Sequence, residues 1–127
     1  MVKIKGDITE IKNVMKNLTI DSTTEVDEAI TYITKDAFLI PPNEPPLVSL
    51  EQIRDKIIQD RESNVVSIKG KTLGIEVSRS KDLAWCIGEY SINYVTRQVN
   101  GYYLSLFKKI EGKWRMAGHT WSEIPSN

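Results

Sequence analysis

Apolar positions along this chain keep a helical spacing in the first half and an alternating one in the second. From Asp7 to Leu18, residues Ile8, Ile11, Val14, Met15 and Leu18 recur three or four apart, as one buried helix stripe requires. Asp7 and Glu10 stand where a capping box would open that helix. Thr19–Thr24 is a polar break, and Ser22-Thr23-Thr24-Glu25 supplies a second start signal. Val26, Ala29, Ile30 and Ile33 then share a face, which predicts a short helix over Glu25–Thr34. Asp36–Ile40 reads as a short strand. It leads into Pro41-Pro42-Asn43-Glu44-Pro45-Pro46, which holds four of the five prolines and reads as a stiff rim loop. Ser49 and Gln52 cap a third helix, whose Leu50, Ile53, Ile57 and Ile58 oppose Arg54, Asp55, Lys56, Asp60 and Arg61.

After Asn64 the period becomes two. Val66, Ile68, Leu73, Ile75 and Val77 mark one long or two short strands, with Gly70 and Gly74 signalling a bulge or bend. Ser80-Lys81-Asp82 turns, and Leu83–Tyr94 is the next strand. Asn100-Gly101 is predicted as a hairpin turn, because such a turn needs positive φ at both central positions. Tyr102–Ile110 returns, Glu111-Gly112 turns again, and Lys113–Ser122 closes the series before a polar tail. The element order α-α-β-α-β-β-β-β implies an α+β fold over one domain, residues 1–127. Mid-strand glycines imply strong sheet curvature, giving a cone with the three helices on its concave face and room inside for a ligand.

Composition removes several function classes. Lys+Arg and Asp+Glu are equal at 17 each, and no basic cluster stands out, so a nucleic-acid partner is not expected. The single Cys86 allows no internal disulfide, the first residues lack a signal-peptide core, and no apolar run is long enough to span a membrane. A cytoplasmic protein with no membrane partner is expected. Zero net charge favours self-association.

Catalytic motifs are absent from the sequence. His119 and Cys86 are far apart, and no pair has zinc-ligand spacing, so no metal is expected. Gly70-Lys71-Thr72 lacks the upstream glycine and the following helix of a phosphate loop. No other cofactor motif occurs, and no cofactor is expected. Cys86, in mid-strand, reads as a buried thiol.

Three segments carry a resemblance. DAFLIPPNEPPLVSLEQIR (Asp36–Arg54), DLAWCIGEY (Asp82–Tyr90) and GYYLSLFKKIEGKWRMAGHTWS (Gly101–Ser122) resemble, in order, the signature segments of SnoaL-like proteins. That resemblance implies the nuclear transport factor 2-like cone fold and a homodimer formed through the outer sheet face. The superfamily holds isomerases, cyclases and dehydratases as well as inert scaffolds, so fold alone does not set function. Two departures stand out. Val48-Ser49 replaces a usual glycine before the third helix, and His119 occupies a place where relatives often carry Asp.

The only histidine, His119, is the one catalytic candidate, as acid or base. The competing reading is a histidine bonded to a carbonyl or facing solvent at a sheet edge. Strict alternation puts Trp114, Met116, Gly118 and Thr120 on one face and Arg115, Ala117, His119 and Trp121 on the other. A one-residue bulge, which Gly118 would allow, swaps the faces. Tyr32, Trp85, Tyr90, Tyr103, His119 and Trp121 are the expected ligand-lining residues, each also explicable as core packing. Asp36 and Glu89 are candidate cavity carboxylates, or else a strand-start cap and an exposed sheet residue. The functional expectation is binding of a small, mostly apolar molecule inside the cone. The alternatives are an isomerase, cyclase or hydratase using His119 with Tyr32 or Tyr90 polarising a carbonyl, or an association module without ligand.

Overall fold

The computed structural model of the chain describes residues 4–125. The readings of the first three residues and of the final two in the polar tail lie outside them. The expected element order is observed: α1 (Ile4–Leu18), α2 (Val26–Ile30), β1 (Ile33–Ile40), α3 (Leu50–Arg61), β2 (Val65–Val77), β3 (Leu83–Tyr94), β4 (Gln98–Ile110) and β5 (Lys113–Glu123). The strands form one sheet in the order β1-β5-β4-β3-β2. β1 joins β5 in parallel and the other pairs are antiparallel. Helices cover the inner face, where Ile11, Val14 and Ile53 pack with Ala84, Cys86, Phe107, Trp114 and Met116. Burying the larger aliphatic and aromatic ones stabilises by roughly 1.5–3 kcal/mol each. The outer face leaves Leu83, Trp85, Ile87, Tyr102, Leu104 and Leu106 exposed.

Three local expectations change. Asp7 and Glu10 are not caps, because α1 begins before them, at Ile4. Instead they fasten the helix to the sheet. Asp7 Oδ1 accepts from the Trp114 indole N–H at 2.9 Å and lies 3.2 Å from Lys109 Nζ, while Glu10 Oε2 accepts the Trp114 backbone N–H at 2.7 Å. The second helix stops at Ile30, and the chain is already extended at Ile33, which pairs with Met116. The β-branched run Ile30, Thr31, Ile33, Thr34 suits a strand better than a helix. The Tyr32 carbonyl accepts the Met116 N–H at 2.8 Å, which locks the switch in place.

Asn100-Gly101 is not a turn. The β3–β4 connection falls at Val95–Arg97, and Gly101 pairs inside the sheet with Tyr90 and Glu123. The glycine serves a close approach instead, since a Cβ there would lie 1.8 Å from the Ser122 carbonyl oxygen. The other turns fall where expected. Glu111 and Gly112, with φ of 52° and 79°, join β4 to β5, and Lys81 reverses the chain before β3. Ser49 Oγ caps α3 by accepting the Gln52 N–H.

The main departure from simple alternation is in β5. Phe107 pairs with Met116 but Leu106 pairs with Gly118, so Ala117 is an extra residue opposite β4. This bulge puts His119 and Trp121 on the same inner face as Trp114 and Met116. The strictly alternating assignment fails because it has no place for the extra residue.

The Asp7 anchor gives a stability prediction. Asp7 is buried, and the Trp114 indole first, with the Lys109 ammonium behind it, holds its carboxyl below the ordinary value. A carboxyl with a depressed folded pKa stabilises the fold above its unfolded value near 3.8, and that contribution disappears as pH falls through the folded one. Asp7→Ala should lower the unfolding free energy by about 2 kcal/mol at pH 7. Urea unfolding followed by tryptophan fluorescence should show this, with the gap to wild type narrowing below pH 4.

Candidate functional site

The inner face of the sheet is sealed toward the Trp114 end and less closed toward Trp121. Phe107, Trp114 and Cys86 are fully buried, whereas Tyr103, His119 and Trp121 keep part of their surface in contact with solvent. Cross-strand pairing makes this cluster: Ser105 faces His119, Tyr103 faces Trp121, and Leu39 of β1 flanks His119 on the other side. The His119 ring sits 5.2 Å from the Trp121 ring and 5.9 Å from the Tyr103 ring, tilted by 35° and 36°. Ser105 Oγ is 2.6 Å from His119 Nδ1. Tyr103 lies across Gly88, where a Cβ would meet its ring at 2.4 Å.

The chemistry of His119 follows from these neighbours. Burial pushes its pKa down from 6.5 to about 4, so the ring is neutral at physiological pH. No carboxylate bonds to it among the described residues. A neutral ring has two tautomers. If Ser105 donates to Nδ1, Nε2 carries a proton and can donate outward; if Nδ1–H donates to Ser105, Nε2 can accept. Either state offers one polar point in an aromatic setting. The nearby phenol of Tyr103 and thiol of Cys86 are both raised by burial, so both stay protonated at neutral pH.

The six expected lining residues do not meet in one place. Tyr103, His119 and Trp121 come together. Tyr32 sits at the α2–β1 junction, half-buried against the core and held by its backbone bond to Met116. The Tyr90 hydroxyl donates to the Ser122 carbonyl at 2.8 Å, and burial pushes its pKa up to about 12. It borders a cleft of about 290 Å³ with Lys69, Lys71, Ser91 and Asn100. Trp85 is on the outer face, in a groove of about 610 Å³ with Phe38, Leu83 and Leu106. The two candidate carboxylates also lie outside the His119 cluster. Asp36 is exposed and lies 3.4 Å from Lys108, and Glu89 borders the Tyr90 cleft. No metal-binding cluster of His, Cys, Asp or Glu occurs among the described residues.

Ser105 is the residue that sequence reasoning passed over. A small polar residue alternating with Tyr103 and Phe107 on a buried face was the available signal, since such a hydroxyl needs a partner.

If burial holds His119 neutral, protonation opposes folding. With a folded pKa near 4 and an unfolded one near 6.5, the unfolded chain takes up the proton first. Stability should therefore be complete above pH 6.5 and fall as pH drops from 6.5 toward 4. His119 ring proton shifts should show no titration between pH 8 and 5.5 by NMR. A midpoint near 6.5 would mean a solvated imidazole.

No protein-family model matches this sequence, and no curated protein matches it. Solved structures do match its fold. A ketosteroid isomerase-like protein from Erwinia carotovora atroseptica superposes with a TM-score of 0.71 at 18% identity, covering 97% of this chain and 95% of that one. An NTF-2 like protein of unknown function from Shewanella oneidensis gives 0.70 at 17%, covering 94% and 98%. A domain of unknown function with a cystatin-like fold from Nostoc punctiforme gives 0.78 at 14%, covering 99% and 81%. Identities this low speak for architecture alone. The chain has the nuclear transport factor 2-like cone fold.

Proposed function

We propose that this chain is a SnoaL-like cone protein that binds a small, mostly apolar molecule at the His119 end of its inner face. The observation that carries this reading is the His119–Ser105 pair, partly open to solvent and flanked by the Tyr103 and Trp121 rings. Aromatic walls with one oriented polar group suit a ligand carrying a single donor or acceptor. The same geometry favours binding over acid–base catalysis. No carboxylate bonds to the ring among the described residues, and burial lowers its pKa to about 4, which makes it a weak base at neutral pH.

A second reading concerns assembly and is compatible with the first. The outer face carries a contiguous apolar surface, with Leu83 51% and Leu104 38% exposed beside Trp85, Ile87 and Leu106. A sheet face of this kind is usually covered by another element or by a partner. We read it as the contact between two copies of the chain, acting in the cytoplasm.

Each reading has its own test. Native mass spectrometry of freshly purified protein should detect a bound small molecule, and His119→Ala should lose it while keeping the fold. Empty wild-type protein together with a flat thermal-shift screen of apolar compounds would remove the binding reading. In sedimentation velocity the wild type should run as a dimer, and Leu104→Asp as a folded monomer. A monomeric wild type at tens of micromolar would remove the assembly reading.

A further inference from the structure

We propose that the proline-rich loop Pro41–Pro46 is a stiff strap across the open end of the cone, latched by the ion pair between Glu44 and Lys56. This rests on the reading of the His119 end as the ligand entrance. β1 runs parallel to β5, so the loop leaves the sheet beside Thr120, whose Oγ1 donates to the Ile40 carbonyl at 3.0 Å. His119 and Trp121 flank Thr120 on the inner face. The loop returns at Leu47, where Leu39 and Leu47 exchange backbone hydrogen bonds of 2.9 and 2.7 Å. Leu39 is itself the β1 partner of His119. The two ends of the loop are thus closed one strand away from the histidine.

The span between these ends is built to move as a unit. Four prolines fix most of its φ angles, and Asn43, at φ 61°, makes the reversal. Asn43, Glu44, Pro45 and Pro46 are exposed. Among the described residues, one side-chain ion pair ties this apex to the body. Glu44 Oε2 lies 3.2 Å from Lys56 Nζ on α3, which also lies 3.4 Å from Asp60. The Lys56 side chain is only 15% exposed while that of Glu44 is 48%, so the pair is only partly shielded from solvent. At the returning end, Val48 N–H donates to Gln52 Oε1 at 2.9 Å. Without the Glu44–Lys56 contact, the loop would still be held at its ends by the Thr120–Ile40 bond, the buried Pro41, the backbone bonds of Leu39 and Leu47 and the Val48–Gln52 bond.

Because His119 is the only histidine, diethyl pyrocarbonate reports its accessibility directly through the absorbance of carbethoxyhistidine near 240 nm. The reading does not depend on whether any ligand binds. In Glu44→Gln, and separately in Lys56→Met, amide exchange at Leu39, Leu47 and Val48 should speed up by about two- to fivefold, the range for losing one such pair. His119 modification should accelerate by a similar factor, with exchange in β3 and β4 unchanged. Glu44→Gln alters an exposed apex and keeps the test open should Lys56→Met fold poorly. Unchanged exchange at all three amides in Glu44→Gln would overturn the latch. Faster exchange without faster His119 modification would show that the loop opens away from the site, and would overturn the strap.

Discussion

One extra residue in β5 decides what the inside of this protein is made of. Ala117 sits opposite β4 without a partner of its own, between the Phe107–Met116 and Leu106–Gly118 pairs. On its N-terminal side, Trp114 and Met116 fill the sealed end of the core. On its C-terminal side, His119 and Trp121 turn onto the same face rather than outward. Without the bulge the imidazole would face solvent on the outer sheet surface, far from Tyr103 and Ser105. The aromatic cluster, the depressed pKa of the histidine and the polar point it offers all depend on that shift.

The two ends of the cone are held by different forces. At the closed end a buried carboxylate joins an indole and a lysine, and a second carboxylate takes a backbone N–H, so α1 cannot slide along the sheet without stranding charge. Arg61 fixes the other end of α1, donating to the Asn17 carbonyl at 3.1 Å and to the Thr24 carbonyl beyond it. Toward the other end of the cone, Thr120 Oγ1 donates to the Ile40 carbonyl, Leu39 and Leu47 exchange backbone bonds, and Glu44 pairs with Lys56.

Apolar surface is divided just as unevenly between the two faces of the sheet. The inner face is closed by helices and its aromatic groups are mostly core. The outer face leaves Trp85 and its neighbours partly exposed among the described residues. Fold likeness to an isomerase-like protein and to proteins of unknown function is consistent with this plan. An architecture with a walled interior and an exposed sheet can host chemistry, binding or assembly without changing its frame.

Much of the plan was legible in the residues. Helical and alternating periods gave the eight elements in order, Ser49 and Gln52 marked the start of α3, and Glu111-Gly112 marked the last turn, because these signals act over a few neighbouring positions. The sequence by itself determined the frame and its apolar stripes. Tertiary structure decided the rest. Asn100-Gly101 carries a strong turn signal, yet Gly101 pairs inside the sheet with Tyr90 and Glu123, where the close approach of Ser122 leaves no room for a Cβ. Asp7 looks like a cap and became an anchor, since its partners Trp114 and Lys109 lie a hundred residues away in the chain. The direction of His119 was beyond reach for the same reason. A bulge at Ala117 exists only in the register between β4 and β5, and no stretch of sequence read alone contains that register.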